Sequence, residues 1–173
     1  MFWKVFIASV TVIIAVLLQL QLEQPCIIAH EEVVLSGTRQ EAFEFMTDIE
    51  KYHKWHPGLG PIEAADSKKT LHIGKVFFES GRYPIIGDVK YKLVITNYSP
   101  STFLSFSSDS ILLPLYEITL KDEGAKVSRV YIKVVSRRYS YLFNYAIAPL
   151  TRFAYKQQLL QALFNLRMLF RKD

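Results

Sequence analysis

Cysteine is nearly absent. Cys26 stands alone among 173 residues, which excludes an internal disulfide framework and any multi-cysteine zinc or iron–sulfur site. Glycine and proline are scarce too, seven of each, and neither recurs at a fixed spacing. Collagen-like and low-complexity architectures are therefore excluded. No P-loop, no G-x-G-x-x-G and no G-x-S-x-G elbow occurs, so nucleotide binding and serine-nucleophile chemistry have no signature. Acidic residues are outnumbered 16 to 21, giving a formal net charge of +5 and a pI near 9.2, a balance that suits an anionic partner or surface. Half the residues are hydrophobic, 14% are aromatic and 21% are charged. That is too apolar for a disordered tail and too charged for a chain lying wholly in lipid. The length allows one domain with an appendage.

The appendage is the N-terminus. From Phe2 to Leu22 the only charge is Lys4, and roughly 20 predominantly apolar residues cross a bilayer core. A secretory signal peptide would end in small residues, whereas this run leaves through Gln19-Leu20-Gln21-Leu22-Glu23-Gln24-Pro25, with Ala29 isolated among bulky neighbours. A buried core helix would need a much larger domain around it. We read residues 1–24 as an uncleaved signal anchor, with secretion after cleavage as the alternative. Lys4 and the terminal amine precede the span, while Glu23, Glu31 and Glu32 follow and no Lys or Arg appears until Arg39. Positive charge stays on the cytoplasmic side, so the domain is expected in the lumen or exterior. Asn97-Tyr98-Ser99 is a glycosylation acceptor usable only in that topology. Nucleic acid, the other anionic partner, is not expected for a domain so placed.

Residues 25–30 read as a linker and 31–173 as one α+β domain. Glu32 to Ser36 is a short aliphatic strand. Thr38-Arg39-Gln40-Glu41 then forms a capping box, and Ala42, Phe43, Met46, Ile49 and Tyr52 continue at helical spacing. This helix or helix pair must end before Pro57. Strands are expected at Pro61–Ala65, Lys75–Tyr83, Asp88–Tyr98, Thr102–Ser107, Leu115–Asp122 and Lys126–Ser136. Their period-two alternation and short connections predict an antiparallel meander with one buried face. Pro149 is the only breaker between Tyr139 and Lys172, so a helix of about 22 residues, roughly 33 Å, starts near Ala148. Arg152, Tyr155, Gln158, Gln161 and Asn165 form a polar stripe on it, and the rest is broadly apolar, Phe153 included.

This order resembles the helix-grip fold of the START and Bet v 1 superfamily, in its polyketide cyclase/dehydrase-type branch. The residues that carry the resemblance are Thr38-Arg39-Gln40-Glu41-Ala42-Phe43, Asp48-Ile49-Glu50-Lys51-Tyr52-His53-Lys54-Trp55-His56-Pro57, and Asn97-Tyr98-Ser99-Pro100-Ser101-Thr102-Phe103-Leu104-Ser105-Phe106. The resemblance implies a curved sheet of about seven strands gripping the long helix around an apolar cavity for a lipid, sterol or similar molecule. The cavity residues expected are Trp55, Phe78, Val89, Tyr91, Leu93, Tyr116, Ile118, Ile132 and Phe153.

Alternate connections of a meander share one end of the sheet. That end collects the Trp55–Pro61 loop, Ile85 and Ile86, the Ile111-Leu112-Leu113 run, and Arg137-Arg138. Loops this apolar beside a basic pair read as a cavity mouth that meets a membrane surface. Three functions are compatible: membrane-anchored binding of a hydrophobic ligand, a cyclase/dehydratase-like enzyme, or a tethered interaction module with a filled core. For the enzyme, the acid–base candidates are a tyrosine, His56 or Glu79. His53-x-x-His56 has helical spacing without a carboxylate motif to complete a metal site, Cys26 reads as juxtamembrane, and no metal or cofactor is expected.

Overall fold

The computed structural model describes residues 2–68, 70–83 and 87–171, with nothing said of the side chains at 82 and 83. Helix α1 (Phe2–Gln19) comes first, followed by strand β1 (Cys26–Ser36) and helix α2 (Arg39–Thr47). A 3-10 helix over Ile49–Lys54 leads to β2 (Ile62–Ala64), β3 (Val76–Tyr83), β4 (Gly87–Ser99), β5 (Phe103–Ser108), β6 (Pro114–Gly124) and β7 (Val127–Ser136). A π-helical turn, Phe143–Ile147, runs into α3 (Ala148–Leu169).

The strands form one antiparallel curved sheet in the order β1-β7-β6-β5-β4-β3-β2. Together with the long C-terminal helix this is the helix-grip fold. Local chemistry places its parts. The Thr38 hydroxyl accepts from the Glu41 amide at 3.2 Å, and the Glu41 carboxylate accepts from the Thr38 amide at 2.9 Å, which completes the capping box. Gln161 and Asn165, one turn apart on α3, are joined by a 3.0 Å hydrogen bond. The Asn165 amide also donates to the Trp55 carbonyl at 3.1 Å, so α3 is fastened to the end of the 3-10 helix.

One core lies between the concave face of the sheet, α2, the 3-10 helix and α3. Register puts Leu104 opposite Ile118, Ile118 opposite Ile132, and Phe77 opposite Leu93 on the inner face. From α3, Leu159, Ala162, Leu163 and Leu166 close the core. The other side of α3 remains apolar but exposed at Leu150, Phe153, Leu160, Phe164 and Met168.

Three expectations need correction. Residues 26–30 are not a linker: β1 begins at Cys26, and a bulge between Ile27 and Ala29 leaves Ile28 and Ala29 both buried. That break in alternation is why the strand is hard to see in sequence. Phe78 faces out, at 37% exposure, while Phe77 faces in at 4%. Two adjacent phenylalanines cannot set the parity of a strand, and the inner set Lys75, Phe77, Glu79 contains two charged residues. Phe153 is 72% exposed and sits outside the core, in a surface cleft beside β1, because a helix apolar on nearly every side gives no period from which to choose its buried face.

Lys75 is buried for its own reason. Its ammonium donates to the carbonyls of Lys68 and, at 3.3 Å, Thr70, lies 3.5 Å from Asp66, and sits 5.4 Å from the centre of the Phe77 ring. It serves as an internal cation that gathers the 66–70 loop onto the core.

Candidate functional site: the polar throat at the mouth of the sheet

The β3–β4 register sets Glu79 directly opposite Tyr91 on the concave face. On the next two strands inward, Tyr116 of β6 stacks on Phe106 of β5 at 4.8 Å between ring centres. Tyr155 on α3 closes over them and lines the same space as Tyr116. With Gln158, Gly58, Leu59, Ser108, Ser110 and Pro114, these residues enclose a space of about 60 Å³.

Glu79 is held by the loop that precedes β2. The Gly60 amide donates to its Oε1 at 3.1 Å, and Ser80 N donates to the Pro61 carbonyl at 2.9 Å. Only glycine fits at position 60, because a Cβ there would stand 2.0 Å from the Ser80 carbonyl oxygen. Burial raises the Glu79 carboxyl above its ordinary range, and the Gly60 N–H offsets part of that rise. Burial also raises the Tyr116 hydroxyl well above the usual phenol value, and the nearby Tyr155 and Glu79 add to it; Tyr155 is raised chiefly by its own burial. Both phenols therefore stay protonated and can donate hydrogen bonds, while Glu79 can accept one or exchange a proton.

His56 lies deeper, 5% exposed, edge-on to Trp55 and Tyr116. Burial lowers its pKa to about 4. Its Nδ1 accepts from the Gly58 amide at 3.3 Å, so the neutral ring carries its proton on Nε2. His53 points elsewhere, exposed and bonded to the Glu50 carbonyl. Among the described residues no group of His, Cys, Asp or Glu is arranged to hold a metal ion.

The expected cavity residues divide as follows. Leu93, Tyr116, Ile118 and Ile132 are buried on the concave face. Tyr91 borders the throat, and Val89 lies half-buried two residues further out on the same strand. Trp55 is fully buried 4.9 Å from the Tyr52 ring, with its indole N–H unpartnered among the described residues. These side chains fill the interior instead of lining an open chamber. Small-molecule pockets commonly measure about 300–1,000 Å³, far above what is free here. Sequence reasoning placed Tyr155 and Gln158 in the polar stripe of α3 but did not name them as site residues.

Of the expected mouth residues, Ile85 and Ile86 lie outside the described residues. Ile111 is 64% exposed. Leu112 turns in against Cys26, Phe143 and Ala148, and Leu113 adopts a left-handed backbone with φ 47°. The two arginines hold this loop. Arg137 donates to the carbonyls of Leu113 at 3.2 Å and Ser108 at 2.8 Å, and Arg138 donates to that of Ile111.

A wider groove of about 660 Å³ runs between α2, the 3-10 helix and the 64–75 segment. It is lined by charged groups that already pair, Lys51 with Asp48 and Lys75 with Asp66.

The fold matches solved structures. A START superfamily protein from Mycobacterium smegmatis superposes with a TM-score of 0.64 at 8% identity, over 83% of this chain and 97% of that one. Ara h 8.0201 matches at TM-score 0.61 and 13% identity, over 82% and 95%. The di-domain ARO/CYC StfQ from the steffimycin biosynthetic pathway matches at 0.61 and 8%, over 84% of this chain and 51% of that one. No family model matches the chain, and no curated protein matches it in sequence. The structural likenesses show a START/Bet v 1-like fold.

Proposed function

We propose that this chain is a membrane-anchored domain that binds a lipid or other hydrophobic small molecule, gripping the polar end of the ligand in the throat formed by Glu79, Tyr91, Tyr116, Tyr155 and Gln158. The observation that carries this reading is the placement of protonated phenols and a half-buried carboxyl together at the mouth of a largely apolar helix-grip core. Those groups suit a hydroxyl, carbonyl or amine on the ligand. Its hydrocarbon part enters only when side chains at the mouth give way, since about 60 Å³ holds one or two waters. Helix α1 has a mean hydropathy of 2.1 and no buried residue; at 1.5 Å per residue it is about 27 Å long, near the thickness of a bilayer core. In this reading it is the anchor, and the domain faces the lumen or exterior.

The filled interior favours a second reading, a tethered interaction module that takes no ligand. Lipid transfer between vesicles separates the two. The intact chain should accelerate transfer, and Tyr155→Phe combined with Glu79→Gln, which removes two polar contacts of about 1 kcal/mol each, should reduce it roughly thirty-fold. Absence of transfer for every hydrophobic cargo would favour the module.

A further inference from the structure

Residues 20–22 do not hang free between α1 and the sheet. Gln21 pairs with Ser140 as an antiparallel bridge. Around it the Leu22 amide donates to the Tyr139 carbonyl at 2.7 Å, and the Tyr141 amide donates to the Leu20 carbonyl at 3.0 Å. Helix α1 ends at Gln19, and a chain advances at most about 3.6 Å per residue, so Gln21 lies within about 7 Å of the end of that helix, and Ser140, about 5 Å further across the bridge, within about 12 Å. The bridge also fixes which end of the domain is nearest α1. Arg138, two residues from Ser140, holds the 109–113 loop, and that loop borders the throat.

The surface around this attachment is unusually apolar. Tyr145 is 73% exposed, Ile147 45%, Leu150 76% and Ile111 64%. The Tyr145 ring stacks on Tyr141 at 5.8 Å. Buried Phe143 and Ala148 pin the segment from behind through Cys26 and Leu112. From Arg137 to Arg171 the sequence has six Lys or Arg and no Asp or Glu. Of these, Arg137, Arg138 and Arg152 lie in or next to the segment, while Lys156 pairs with Glu31 and Arg167 and Arg171 lie at the far end of α3. Exposed tyrosines and aliphatics beside such arginines are the composition that settles at a lipid–water interface.

We infer that the face made by the 139–150 segment and the Ile111 tip rests on the same bilayer that α1 crosses, with the throat turned toward the lipid. This rests on the reading of α1 as a membrane span. The bridge at Ser140 holds the face against the headgroups, and Tyr145, Leu150 and Ile111 dip below them. A ligand would then pass between bilayer and throat without crossing water.

Spin labelling of the full chain tests this. In a Cys26→Ala background, Val12→Cys, Ile111→Cys, Tyr145→Cys, Leu150→Cys and Ala125→Cys are each nitroxide-labelled and reconstituted into phosphatidylcholine–phosphatidylserine vesicles. Ala125 sits on the β6–β7 turn, at the far end of the sheet. The ratio of oxygen to water-soluble nickel accessibility should be highest at 12 and several-fold higher at 111, 145 and 150 than at 125. A lipid-embedded 12 with 111, 145 and 150 equal to 125 would overturn the inference and leave the anchor intact. An aqueous 12 would overturn both. Spin–spin broadening at 145 that disappears on dilution with unlabelled chain would assign the face to a second copy, which also overturns it.

Discussion

His56 turns the burial of the throat into a measurable pH dependence. Its pKa falls from 6.5 to about 4 on folding, with burial as the leading cause. Between those values the unfolded chain binds a proton that the folded chain refuses, so stability is complete above pH 6.5 and is lost as pH falls toward 4. At 1.36 kcal/mol per pKa unit the loss amounts to about 3 kcal/mol by pH 4. Glu79 acts in the opposite direction, because a carboxyl raised by burial favours the folded state at low pH and loses that contribution as pH rises through its folded value. The two are separated by substitution. His56→Asn keeps an acceptor for the Gly58 amide and removes the titrating ring. Urea unfolding of the intact chain in detergent, followed by Trp55 emission in a Trp3→Phe background, gives stability at each pH. The variant is expected to be less stable than wild type at pH 7, through lost packing against Trp55 and Tyr116. That gap should close or reverse by about 3 kcal/mol at pH 4. Parallel stability–pH curves for the two proteins would refute the buried, neutral histidine.

Three further substitutions probe how the throat and its supports are held. Gly60→Ala forces a Cβ against the Ser80 carbonyl oxygen and should cost about 3 kcal/mol; an unchanged melting temperature would count against the close approach. Lys75→Met keeps the buried stem but releases the carbonyls of Lys68 and Thr70, a loss of about 1–2 kcal/mol, with earlier proteolytic cleavage near the 66–70 loop as the readout. Thr38→Ala removes the acceptor for the Glu41 amide, should cost about 1 kcal/mol, and should speed amide exchange in the first turn of α2.

The fold was legible wherever one physical pattern acted alone. β4, β6 and β7 alternate cleanly because each has one face on the core and one in solvent, so the parity of Leu93, Tyr116, Ile118 and Ile132 followed from spacing. The capping box at Thr38 and the start of α3 at Ala148 are local chemistry and read directly. Failures came where two patterns overlapped. The bulge in β1 broke its alternation and disguised Cys26–His30 as linker. Phe77 and Phe78 satisfied either parity, and the correct one required two charged residues inside, Lys75 and Glu79, each held by backbone groups distant in sequence. Tyr155 was legible as part of a polar stripe but not as a site residue, because its position beside Tyr116 is set by how α3 lies across the sheet and not by helical period. The free volume was invisible to sequence for the same reason: whether Trp55, Tyr52 and Phe106 line a chamber or fill it depends on their mutual packing.

The most direct test of ligand binding is native mass spectrometry of the intact chain, released from detergent micelles after gentle purification. A fragment starting at residue 30 would remove Cys26–Ala29 from β1, so the full chain is the right object. The account predicts a second species heavier by the mass of one lipid or other hydrophobic molecule, diminished in the Tyr155→Phe, Glu79→Gln double variant. A single species at the mass of the bare chain, from folded protein and across mild detergents, would contradict it.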